Sequence, residues 1–200
     1  KEAKILSMIP IGNDRHTRLT LECQGLTYDS VLFGVCSDDL PMVEDDIVDI
    51  IFTPDINNFR GKSVQLILKD IQRCESDLRQ DERDDELYDR FTRNENLTSA
   101  EAARIRPVRK ELVAVWRGVN RHASEGMLKT DITKLQGKLR QESGTELNRA
   151  KLLIALDVFS ELGLFVHEVT DNILIVYTRK VSRKADISTS MILRRLKAFE

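Results

Sequence analysis

Two hundred residues with 31 Lys/Arg, 33 Asp/Glu and 41% hydrophobic residues give an ordinary water-compatible balance, enough for one large domain or two small ones. No apolar run approaches the roughly 18–20 residues that a bilayer span needs, so no membrane role is expected. The opening KEAKILSMIPIG also lacks the long apolar core and small-residue cleavage site of a secretory signal. Beginning on Lys1 and not Met, the chain reads as a piece of a longer one. Cys23, Cys36 and Cys74 are widely spaced and odd in number, which argues for free thiols in a reducing cytoplasm. His16, His122 and His167 are isolated, so no metal site and no catalytic constellation is expected within the chain.

Charge is uneven. Residues 1–100 hold 12 Lys/Arg against 21 Asp/Glu, whereas residues 101–200 hold 19 against 12. A basic second half hints at an anionic partner, although solvated helix faces give the same count.

In chain order, the first 72 residues read as strands. Lys4–Ile11 and Thr17–Cys23 flank the turn Gly12–Arg15, and Leu19 and Leu21 alternate with Thr20 and Glu22. Leu26–Phe33 follows the turn at Gln24–Gly25, then an acidic loop Gly34–Asp46 containing Pro41, then Ile47–Thr53 and Lys62–Ile71. Five short strands suit an OB-like β-barrel, while an SH3-like barrel gives a similar pattern. Phe33 and Phe52 are expected in its core.

From residue 73 to 98 the sequence is dense in both charge signs and reads as a linker, partly helical and solvated. The period then turns helical. Thr98 or Ser99 caps a turn containing Glu101. A helix spans about Pro107–His122, with Val108, Leu112, Val115, Trp116 and Val119 on one stripe. A second runs from Thr130 or Asp131 to about Gln141, and a third from Thr145 to Leu162, ended by Gly163. Leu164–Val169 and Ile173–Tyr177 form a hairpin, and the tail reads as a last helix capped near Asp186 or Ser188. Three helices and a hairpin are the order of a winged helix. The expected fold is therefore α+β: an OB-like barrel at 1–72, a charged linker at 73–98 and a winged-helix-like domain at 99–200.

The stretch IVDIIFTPDINNFRGKSVQLILKDIQ (residues 47–72) resembles the last two barrel strands of RecJ exonucleases, through Asp49, Phe52, Asn57, Phe59, Gly61, Gln65, Leu66, Lys69 and Asp70. IGNDRHTRLTL resembles that family's first hairpin. Residues 99–200 are similar, chiefly in domain order and in the Arg106–Arg109 entry, to an extra C-terminal domain of RecJ proteins from low-GC Gram-positive bacteria. The resemblance implies a parent enzyme of DNA repair and recombination that degrades single-stranded DNA from the 5′ end. It also implies Mn2+ or Mg2+ held by Asp and His residues of an upstream core. None of those motifs stands in this chain, so this piece is expected to be non-catalytic.

Single-strand binding by such a barrel needs cations along the backbone and aromatics for the bases. The candidates are Arg15, His16 and Arg18 near the first turn, and Asn57, Asn58, Phe59, Arg60 and Lys62 between the last two strands. Phe59 equally well plugs the barrel end. In the second half Lys134, Lys138, Arg179, Lys180, Arg183 and Lys184 are candidates for a DNA backbone or an acidic protein partner. The acidic tail of single-strand DNA-binding protein is the first such partner to consider.

Overall fold

The computed structural model describes residues 1–57, 63–179 and 185–199. The architecture is α+β, and the chain divides into two compact units, Lys1–Leu78 and Arg79–Glu200.

The first unit holds β1 (Ala3–Ile11), β2 (His16–Cys23), β3 (Leu26–Phe33), β4 (Ile47–Asn57) and β5 (Ser63–Arg73) in the order β1-β2-β3-β5-β4. β1 meets β4 through Ala3↔Val48 and Lys4↔Ile47, which closes the barrel, and β3 runs parallel to β5 over residues 29–32 and 65–68. Positive φ at both Gln24 and Gly25 makes the two-residue turn that matches strand twist. Alternation sends Thr17, Leu19 and Leu21 inward from β2, opposite Leu32, Ser30 and Tyr28. The loop after β3 is more than an acidic connection. A short 3-10 turn at Ser37–Asp39 positions Leu40 and Met42, which are buried with the barrel core.

Two expected core residues lie outside it. Phe33 is 56% exposed and Phe52 45% exposed. Phe33 follows the inward Leu32, so strand parity turns it out. In the run Val31–Leu32–Phe33 hydrophobicity alone does not show which face is buried. Phe52 lies past the last β4 residue paired with β1, so along this part of the β4–β5 ribbon β4 has only β5 beside it. Ile56 and its cross-strand partner Val64 are exposed on the same ribbon.

The second unit begins within α1 (Glu75–Thr92) and continues through α2 (Ser99–Ile105), α3 (Arg109–His122), β6 (Met127–Asp131), α4 (Ile132–Ser143), α5 (Arg149–Glu161), β7 (Phe165–Thr170), β8 (Ile173–Thr178) and α6 (Met191–Lys197). The segment expected as a charged linker is largely α1. Its Leu87 and Phe91 enter a core with Ile105, Ala150, Ile154, Val158 and Leu196. Two buried apolar positions among many charges suffice once other helices cover them, which the local composition hides. The capping box at Thr98 and Glu101 forms as expected.

β6 is an element that periodicity did not reveal. Its five residues pair with β8, giving an antiparallel sheet of order β6-β8-β7. A larger core joins this sheet to α3, α4 and α5 through Leu112, Val115, Val119, Leu135, Leu139, Leu156, Phe159 and Phe165. Trp116 packs against that core and stacks on Phe165, with ring centroids 5.0 Å apart.

Polar ties lock the helices. Asp131 caps α4 by accepting the N–H groups of Thr133 and Lys134. Its other oxygen accepts a bond from the Asn172 amide at 2.6 Å. The Asn172 side-chain carbonyl in turn accepts from Arg149 at 2.6 Å, and Arg149 pairs with Asp85 at 2.6 Å. Lys151 pairs with the buried Glu111 at 2.8 Å. Arg149 and Lys151, both on α5, thus serve internal pairing.

Helices α3 and α4 meet at Gly118, where an added Cβ would lie 1.9 Å from Leu139 Cδ2. Leu139 is itself buried and has little room to turn. Gly118→Ala should therefore destabilise the second unit by about 1–3 kcal/mol, outweighing the ~1 kcal/mol gained in helix propensity. Urea unfolding followed by Trp116 fluorescence measures this, and a rise in the midpoint would refute it.

Candidate nucleic-acid interface

The outer face of β1–β3 follows from pairing. Tight turning at Gln24–Gly25 pairs His16 with Phe33, Arg18 with Val31 and Thr20 with Asp29. β1 adds Ile11 beside His16, Ile9 beside Arg18 and Ser7 beside Thr20. One end of this face is therefore apolar and aromatic. Phe33 and Ile9 are exposed, and the His16 ring meets Phe33 edge-on with centroids 5.2 Å apart.

His16 is held in place. Its Nδ1 accepts the Gly34 N–H at 2.9 Å, which leaves Nε2 to carry the proton of the neutral ring. Gly12 admits this pose, since a Cβ there would come within 2.9 Å of His16 Cδ2, and its φ of +64° suits glycine. Arg15 is exposed in the same turn and has no ion-pair partner among the described residues. Arg18 grips Asp29 with two bonds of 2.8 and 2.9 Å, and Asp29 also accepts the Gln65 amide at 3.0 Å. The hydrogen bond and charge of Asp29 raise the Arg18 pKa further and offset the positive charge that Arg18 presents. Toward the other end Ser7 donates to Thr20 at 2.9 Å, and Lys4 pairs with Asp45 at 2.8 Å.

The structure thus brings Arg15, His16 and Arg18 to one end of one face and adds Phe33 and Ile9, which hydrophobicity had assigned to the interior or passed over. The signal for Phe33 was present, because a two-residue turn at 24–25 fixes the register of the whole hairpin. Of Asn57 only the backbone is described, as the last residue of β4; Asn58, Phe59, Arg60 and Lys62 lie outside the described residues.

In the second unit the candidate cations scatter. Lys134 is 5% exposed, because α4 is covered on most sides, so it is not presented to a ligand. Lys138 is half-buried and Arg179 exposed at the end of β8, while Lys180, Arg183 and Lys184 lie outside the described residues. Nearby, Tyr88 donates to Asp157 at 2.9 Å. His167 lies 3.4 Å from the same carboxyl and shares a hydrogen bond with Ser160 at 3.0 Å. Burial pushes Asp157 up and His167 down. These bonds tie α1 and β7 to α5. Among the described residues no group of three or more His, Cys, Asp or Glu side chains is placed to hold a metal ion. No described helix is long and apolar enough to cross a membrane.

If Phe33 is surface and not core, Phe33→Ala should cost less than about 1 kcal/mol, against ~3–5 kcal/mol for a buried phenylalanine. Thermal unfolding of the two forms decides this, and a loss in the core range would return Phe33 to the interior.

Comparison with known proteins agrees with the barrel fold of the first unit. Curated proteins yielded no match to the chain. Residues 1–70 match the family model described as RecJ OB domain. The barrel is thus similar to the OB region of RecJ-family proteins.

Proposed function

We propose that the barrel binds single-stranded DNA along the outer face of β1–β3, as a non-catalytic part of a RecJ-like 5′–3′ single-strand exonuclease, and helps to guide the strand. The observation that carries this reading is the exposed Phe33 beside His16, Arg15 and Arg18. They sit on the strand 2–3 face and first-turn side that OB-folds use for oligonucleotides. A base stacks on the open face of Phe33 while His16 supports the ring from its edge. The turn cation Arg15 lies within the same end of the face and meets a phosphate. Arg18 contributes less, since Asp29 already engages it.

Affinity in this reading is modest. Residues 1–72 hold 7 Lys/Arg against 12 Asp/Glu, and phosphate attraction is the main source of salt-dependent binding. The cleavage chemistry, with its Mn2+ or Mg2+, belongs to residues outside this chain.

The second unit is read as winged-helix-like, because α3, β6, α4, α5 and the β7–β8 hairpin follow one another in that module's order. α5 would hold the recognition position. Its two leading cations are consumed by Asp85 and Glu111, so reading of duplex bases by that helix is not part of the proposal.

Titration of a labelled oligothymidylate at two salt concentrations tests the barrel. Phe33→Ala should weaken binding by ~1–3 kcal/mol, the worth of one stacked base. Asp29→Asn should strengthen it a few-fold by releasing Arg18. Binding unaffected by both substitutions would remove the proposed face.

A further inference from the structure

The second unit contains a cleft of about 1030 Å³ between the segment leading into α3 and the chain around α6. Its volume is at the upper end of the ~300–1,000 Å³ range of small-ligand sites. Arg106, Arg109, Arg194 and Lys197 line it, against one carboxylate among the described residues, Asp186. That carboxylate is already engaged: hydrogen bonds from the Ser188 side chain and from the Ser188 N–H, the latter at 3.0 Å, lower its pKa, and the charge of Arg194 adds to this. Arg109 and Lys197 are exposed and have no hydrogen-bond or ion-pair partner among the described residues. Arg194 is steadied at the rim by its Nε bond to the Ser188 carbonyl at 3.2 Å. The neighbouring Arg195 is not available in this way, because it lies over the Phe91 ring at 4.0 Å and donates to the Phe91 carbonyl.

Apolar groups complete the lining: Val108, Leu112, Ile187 and Leu193. Val108 is 53% exposed, so its side chain is accessible to a ligand in the cleft.

We propose that this cleft docks an acidic linear peptide that places an apolar side chain over Val108 and Leu193 and its carboxylates against Arg109, Arg194 and Lys197. Charge complementarity sets the sign of the partner, and the apolar lining sets its class. Among the described residues no aromatic side chain lines the cleft, which gives a single strand no base-stacking surface there, and phosphates alone would leave the apolar lining uncovered. The site shares no residue with the barrel face and stands or falls separately from it. It also differs from the cations that the sequence pattern singled out, since Lys134 is buried and Lys138 lines no part of it.

The test uses the full chain and a fluorescein-labelled peptide of alternating acidic residues and leucines, with a control in which lysines replace the acids. The acidic peptide should bind and the control should not. The double variant Arg109→Glu, Lys197→Glu should weaken binding by roughly tenfold or more, the scale of two reversed rim charges. Val108→Asp, which leaves the cations in place, should weaken it comparably, while Phe33→Ala should leave it unchanged. Circular dichroism melts confirm that each variant folds. Absence of peptide binding, or binding by either cleft variant as tight as that of the unaltered chain, would overturn the proposal. Displacement of the peptide by oligothymidylate, with the same dependence on Arg109 and Lys197, would overturn it in favour of DNA.

Discussion

Positive φ angles at Gln24 and Gly25 confine the β2–β3 hairpin to one register, and the functional face of the barrel follows from that constraint. Cys23 opposes Leu26, and every further pair is then determined up to His16 and Phe33. A slip of one residue would send Leu19 and Leu21 outward and bring Arg18 and Thr20 inside, at a cost of several buried side chains at ~1.5–3 kcal/mol each. The hydrophobic interior and the polar exterior thus enforce the same pairing. Phe33 is exposed as a consequence of Leu32 being buried, and the neighbouring His16 is fixed by the Gly34 amide. The face is preorganised, which lowers the entropy lost when a flexible strand is bound.

In the second unit the equivalent constraint is polar. Asp85, Arg149, Asn172 and Asp131 form a continuous run of charge-assisted bonds that connects α1, α5, the β7–β8 turn and the start of α4. Asp171 and Asn172 both take positive φ, and Asn tolerates this conformation while offering an amide that serves both neighbours. Ionic groups arranged around a buried Arg149 contribute less to net stability than to uniqueness, since removal of its partners leaves that buried guanidinium unsatisfied. The same network explains why a helix in the recognition position carries so little free positive charge. The basic excess of residues 101–200 is instead displayed elsewhere, in part around the cleft at Arg109 and Lys197.

Much of this was legible in the residues. Alternation in Thr17–Cys23, the turn pairs at Gln24–Gly25 and Asp171–Asn172, the capping box at Thr98 and Glu101, and the stripe from Leu112 to Val119 each depend on neighbours a few positions apart. Local rules of backbone conformation and periodicity decide such features. The match of residues 1–70 to the RecJ OB domain fits the strand pattern that those rules predict. The positions of Arg15, His16 and Arg18 at one turn were likewise readable, because they are close in sequence.

What the sequence by itself determined, then, was the strand-rich first part, the helical second part and the location of their turns and caps. Tertiary structure alone decided that the charged stretch after residue 73 buries Leu87 and Phe91, and that β6 becomes a strand by pairing with β8 some 45 residues away. It also decided that Arg149 and Lys134 are buried, and that Arg106, Arg109, Arg194 and Lys197 converge on one cleft. The physical reason is common to all four. Each depends on which distant segment covers a side chain, and burial by a distant segment leaves no periodic trace in the residues around it.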